Sequence, residues 1–231
     1  MICYLLNGWR CPPALLMPLT QALEASGLTA VLVPDVPLAA WQNPSAWQSW
    51  VSSWYRHPGC LIGWSHGGTI AWQIAQQRAD VLALLTLATG PHFVRQSASG
   101  DGLDSATFAQ FYAMAEEQPA LCLQRFQALM VQDDDAHKVL RRQLKAAYAE
   151  RSTISDTELL ALRHLANTDL TSCVLPATCH RSHWFGANDA LVPASVAKQL
   201  PNSRVFPGVG HCLPLRLVPE IVRQLQVWSA L

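Results

Sequence analysis

A short apolar run, Cys60 to Trp64, meets a helical pattern, His66 to Arg78, across one tight turn that reads Gly63-Trp64-Ser65-His66-Gly67-Gly68. A strand that passes straight into a helix crowds the backbone at the junction. Glycines on either side relieve that crowding, because a Cβ there would collide with neighbouring chain. Such a G-x-S-x-G turn lifts the serine hydroxyl above the end of a sheet. It also sets the hydroxyl before a helix N-terminus, where unpaired amides and the positive dipole end face the same space. The plain alternative is a glycine-rich turn whose serine only caps the helix. A strand before the turn and a helix after it favour the nucleophilic reading.

The rest of the chain supplies the sheet that such a turn needs. Ile2 to Leu6, Thr29 to Val33, Cys60 to Trp64 and Val81 to Ala88 read as strands. Helical patterns at Pro12 to Ser26, Pro44 to Tyr55 and His66 to Arg78 fall between them. Apolar strands alternating with helices imply parallel pairing with helices on both faces, an α/β architecture. From about Gly100 to Asn167 the strand signal stops, and apolar residues recur at helical spacing. The spacing predicts a helical cap inserted at 100–167 between two parts of one core, 1–99 and 168–231. Strands resume at Cys179 to Phe185 and Arg204 to Phe206, and a last helix runs from Pro214 to Trp228.

Half of the 231 residues are hydrophobic and the formal net charge is zero. Disorder is thereby excluded, and no basic stripe marks a nucleic-acid partner. Seven cysteines form no C-x-x-C pair, so neither a zinc site nor a thioredoxin-like site is indicated. The first residues read as a strand rather than a signal peptide, and no apolar run is long enough to cross a membrane. The expectation is a reduced, soluble, cytoplasmic protein.

A serine alone is a poor nucleophile. It needs an imidazole to take its proton and a carboxylate to orient that imidazole. In this architecture the chain order is serine, acid, histidine. After residue 170 the carboxylates are Asp189 and Glu220, and after Asp189 the one histidine is His211. Both sit in loops beyond predicted strands, where active-site groups of parallel sheets gather. Ser65, Asp189 and His211 are therefore the candidate catalytic residues. For each of the last two, an ordinary loop residue is the competing reading. An oxyanion needs two donors. His66, which follows the nucleophile, offers one backbone amide, and Trp9, after Asn7-Gly8, offers the other. His180 and His183 break the chain order, and His57, His92, His137 and His164 read as surface or loop residues. Trp41, Trp47, Trp50, Trp54 and Trp72 read as core packing.

Taken together, Asn7-Gly8-Trp9, Gly63-Trp64-Ser65-x-Gly67-Gly68 and Asp189-x-Leu191-Val192-Pro193 resemble the α/β-hydrolase superfamily, and within it the BioH group of pimeloyl-acyl carrier protein methyl ester esterases. The stretches Leu123 to Leu129 and Leu165 to Leu170 are similar to that group as well. The resemblance implies a serine carboxylesterase of biotin synthesis that needs no cofactor or metal. It also implies an acyl ester substrate carried on acyl carrier protein. Three departures stand out. Asn7 replaces the family's usual histidine, the N-terminal hairpin strands are expected to be absent, and His66 replaces an apolar residue.

Within the cap, Trp9 apart, Arg125, Arg141 and Arg142 are the candidate substrate-binding residues. With Lys138, Lys145 and Arg151 they could dock an acidic carrier protein. The competing reading is a solvated face balanced by Asp133, Asp134, Asp135 and Glu150. A general short-chain carboxylesterase, a thioesterase and a non-catalytic binding protein on the same fold are the rival functions.

Overall fold

The computed structural model describes residues 1–95, 101–149 and 152–230. In chain order the elements are β1 (Ile2–Leu6), α1 (Met17–Ala25), β2 (Thr29–Leu32), α2 (Leu38–Gln42), α3 (Pro44–Trp54), β3 (Gly59–Trp64), α4 (His66–Gln77) and β4 (Val81–Leu87). Four helices follow: α5 (Ser105–Glu117), α6 (Pro119–Met130), α7 (His137–Ala147) and α8 (Asp156–Asn167). The chain then forms β5 (His180–Gly186), β6 (Ser203–Phe206), α9 (Leu213–Arg216) and α10 (Val218–Ser229). The six strands make one sheet in the order β2-β1-β3-β4-β5-β6. Every pairing within it is parallel.

The strands bury both faces, so their sequences read as continuous apolar runs. Alternate residues still separate. Cys60, Ile62 and Trp64 of β3 join the core with Leu19 and Leu23 of α1 and Ile221 and Leu225 of α10. Leu61 joins the opposite core with Trp50 and Trp54 of α3 and Ile70 and Ile74 of α4. The first of these cores continues without a break into α5, α6, α7 and α8 through Ala115, Phe126, Leu140 and Leu162.

The expected strands and helices are present, with local differences. The helix expected from Pro12 opens as a 3-10 turn, Pro13–Leu15, before α1. The last helix is divided at Leu217, because Pro219 has no amide to continue the ladder from α9. Helix α2, after Pro37, has too few residues to show a period and was not anticipated. The expected start of the insertion, residue 100, lies outside the described residues, as do Glu150 and Arg151. No helix among the described residues is long and apolar enough to cross a membrane.

His183 lies within β5, as the expected strand placed it, and is 1% exposed. Its Nδ1 meets the Thr86 hydroxyl at 2.7 Å, and its ring stacks on Trp72. Burial, with the nearby Arg181 charge, lowers its pKa to about 4. The unfolded chain would take up a proton near pH 6.5, whereas the folded chain refuses it until about pH 4. Stability contributed by the neutral ring is therefore present above pH 6.5 and lost as pH falls toward 4, on the order of 3 kcal/mol. Denaturant melts across this window should show the loss in the parent protein and a smaller slope in His183→Gln.

Candidate active site

Because all strands run the same way, the segments after β1, β3, β5 and β6 leave from one edge of the sheet. These segments carry Trp9, Ser65, Asp189 and His211. Ser65 occupies the turn between β3 and α4 at φ 55° and ψ −123°, left-handed backbone that costs a non-glycine residue about 1–3 kcal/mol. Four hydrogen bonds hold it there. The Ser65 amide donates to the Leu87 carbonyl at 2.8 Å. The Ser65 carbonyl accepts from the amides of Gly68 at 2.8 Å and Thr69 at 3.3 Å, and from the Thr89 hydroxyl at 2.9 Å.

The glycines of the turn are there for close approach. A Cβ on Gly63 would strike the backbone of Gly67 and Gly68, and one on Gly67 would strike the carbonyl oxygens of Leu6 and Asn7. The loop after β1 lies equally near. A Cβ on Gly8 would come within 3.1 Å of Cys11 Sγ and 3.4 Å of Ser65 Cβ. Asn7 braces this loop by donating from Nδ2 to the Cys11 carbonyl at 2.8 Å.

Asp189 and His211 form a buried pair. His211 Nδ1 meets Asp189 Oδ2 at 2.8 Å, with the two side chains 1% and 0% exposed. Asp189 Oδ1 accepts from the amides of Leu191 at 2.8 Å and Val192 at 3.0 Å, so the carboxylate is aimed by its own loop. His211 Nε2 is buried and has no hydrogen-bond partner among the described residues. Ser65 Oγ is thus not bonded to it in this structure. The two segments nonetheless meet, since the Trp64 indole donates to the His211 carbonyl at 2.8 Å and the two rings lie 6.0 Å apart.

Asp134 also contributes to this site, against its expected place among balancing surface charges. It is 1% exposed, and its Oδ2 accepts from the Gly210 amide at 2.7 Å, one residue before His211. Arg216 Nε stands 3.3 Å from its other oxygen, an electrostatic pairing without a directed hydrogen bond. The turn after α6 thereby holds the histidine loop. The sequence signal was the Asp133-Asp134-Asp135 run, which does not reveal which of the three turns inward.

Above Ser65 lies an apolar cavity of about 190 Å³, lined by Trp9, Phe111, Phe126, Leu162, Leu165 and Leu191 among others. Trp9 packs edge-on against Phe111 and Phe126 at 5.7 and 5.2 Å. Arg125, Arg141 and Arg142 are exposed, and none lines this cavity. Lys138 and Lys145 are exposed on α7 beside the last two. His66 does not line it either. Its Nε2 meets His164 Nδ1 at 3.0 Å, and Trp41 stacks on its ring at 5.6 Å. His164, expected at the surface or in a loop, is half-buried on α8. Burial lowers the pKa of both rings, His164 to about 4 and His66 with a further push from its neighbour. Among the described residues, no group of three metal-ligating side chains occurs.

The chain belongs to the alpha/beta hydrolase family, whose sequence profile matches residues 3–223. Within that family it is similar to the pimeloyl-[acyl-carrier protein] methyl ester esterase of Aromatoleum aromaticum, at 30% identity over 94% of this chain and 92% of the relative. It is also similar to the biotin biosynthesis bifunctional protein BioHC of Cellvibrio japonicus, at 26% identity over 85% of this chain. It spans about 40% of that longer relative. Among solved structures, a bromoperoxidase from Bacillus anthracis superposes with a TM-score of 0.79 at 17% identity, covering 99% of this chain and 91% of that one. An esterase from Exiguobacterium antarcticum gives 0.78 at 14% identity, covering 100% and 92%. These two share the fold.

The packing of the turn can be tested directly. Gly67→Ala places a methyl group against two backbone oxygens that cannot move away, and overpacking of this kind costs about 1–3 kcal/mol. Chemical denaturation should show that loss, and an unchanged midpoint would contradict the close approach described here.

Proposed function

We propose that this chain is a serine carboxylesterase working through an acyl-enzyme, with Ser65 as nucleophile, His211 as base and Asp189 as the orienting acid. The observation that carries the reading is the buried Asp189–His211 pair, whose open Nε2 belongs to the segment that packs on Trp64, next to the strained Ser65. Asp189 holds the proton on Nδ1, which leaves Nε2 as the basic nitrogen. Substrate binding must close the gap between Nε2 and Ser65 Oγ, a contact often long in unliganded sites.

As Ser65 attacks the ester carbonyl, His211 takes its proton. The amides of Trp9 and His66 receive the developing oxyanion. The imidazolium then protonates the departing alcohol. Water, deprotonated by the same histidine, adds to the acyl-enzyme and releases the acid. No metal or organic cofactor enters any step.

Residues 100–167 act in this reading as a cap that selects the acyl group. The apolar cavity suits a medium chain, and among the described residues its walls offer no charge to a carboxylate. Relatives named as pimeloyl-[acyl-carrier protein] methyl ester esterases support that ester as the substrate. The exposed Lys138, Arg141, Arg142 and Lys145, with Arg125 on α6, provide a basic surface on which an acidic carrier protein could dock.

A fluorophosphonate probe is expected to label the protein and to leave Ser65→Ala unlabelled. Absence of labelling in the parent would favour a binding protein over an enzyme. Hydrolysis of a methyl ester on acyl carrier protein should outpace that of small aryl esters and thioesters, and the gene should restore biotin-independent growth to cells lacking their own pimeloyl ester esterase. Ester hydrolysis without such rescue would keep the enzyme class and remove the pathway.

A further inference from the structure

The two residues assigned to the oxyanion hole come from separate segments, yet both reach the same helix. The Trp9 indole donates to the Glu158 carbonyl at 2.7 Å, and His66 Nε2 meets His164 Nδ1 at 3.0 Å. Glu158 and His164 both belong to α8, about 9 Å apart along its axis. Next to Trp9, Arg10 adds two more ties. Its Nη1 pairs with Glu158 Oε1 at 3.0 Å, and its Nη2 donates to the Thr153 carbonyl just before the helix.

Arg10 does this from φ 57°, a left-handed conformation that disfavours any side chain bearing a Cβ. Its side chain is 8% exposed although it carries a charge. The start of α8 is itself fixed by a capping box, Ser155 with Glu158. The same helix lines the apolar cavity through Leu162 and Leu165, which share the face of Glu158 at spacings of four and seven residues. One rigid element therefore lines the apolar cavity and bonds to both residues assigned to the oxyanion hole.

We propose that α8 is a positioning element: an acyl chain packed against Leu162 and Leu165 seats the helix, and the helix holds the Trp9 and His66 amides in register for the oxyanion. Arg10, Glu158 and His164 are then positioning residues, and this inference rests on the acyl-transfer reading above. Binding energy from the remote part of the acyl chain would be expressed in the transition state, and so in kcat rather than in KM. Transition-state donors must be held within a few tenths of an ångström, and displacement by about 1 Å can cost a hundredfold in rate.

The test compares the parent with His164→Leu, His164→Gln and Arg10→Gly. Glycine suits the backbone at φ 57°, so Arg10→Gly cuts two ties while relieving local strain, and it serves where His164→Leu fails to fold. In the parent, kcat should rise with acyl length from acetate to hexanoate esters. His164→Leu and Arg10→Gly should flatten that rise and lower kcat on hexanoate about tenfold or more, with KM little changed. Affinity for a trifluoromethyl ketone, which forms a hemiketal oxyanion on Ser65, should fall in parallel, while affinity for the matching methyl ketone holds. His164→Gln keeps an amide able to bond His66 and should recover most of kcat. If the tie-cutting variants retain the length dependence and the ketone affinity, the role of α8 is overturned while the hydrolase reading stands. If the parent neither hydrolyses these esters nor labels with fluorophosphonate, the hydrolase reading itself fails.

Discussion

The site depends on how closely α4 sits over the carboxyl ends of β1 and β3. Gly63, Gly67 and Gly68 pack against one another, against the Leu6 and Asn7 carbonyls and against Thr89 with no space for a single added carbon. That contact forces Ser65 into left-handed backbone and surrounds it with hydrogen bonds that keep it there. It also sets the loop that carries Trp9 beside the serine. Strain at one residue is tolerable because its neighbours over-determine the turn.

Burial then sorts the histidines by environment. Among the described residues, His66, His164 and His183 have no carboxylate partner, and burial drives each toward its neutral form. They act as hydrogen-bonding rings inside the structure, two of them joining α8 to the first residue of α4. His211 instead faces a buried carboxylate that is held by two amides of its own loop. Asp134 fixes the backbone just before it. A single residue type thus serves as structural connector and, in the reading proposed above, as base, with the local partner deciding between the roles.

Strands and long helices were readable because their signals are local. An apolar run of four to seven residues, a proline or glycine that stops it, and helical spacing after it need no distant information. The short α2 and the break at Leu217 were not readable, since a single turn has no period and Pro219 lies where helix starts also place proline. At the site, Ser65, Asp189 and His211 could be named from motif and chain order. The pairing of His66 with His164, 98 residues away, could not. Nor could the link between Trp9 and Glu158, 149 residues apart.

The amino-acid sequence by itself determined a parallel α/β sheet, a glycine-lined serine turn and one admissible acid and histidine after it. The first two follow from sterics and periodicity within a few residues, and the third from the serine, acid, histidine order that belongs to this architecture. Only the tertiary structure decided which of three adjacent aspartates turns inward, which arginine is buried, and that one helix contacts the apolar cavity, Trp9 and His66. Those choices rest on packing between segments far apart in the chain, where a side chain's role is set by what it meets rather than by its neighbours in sequence.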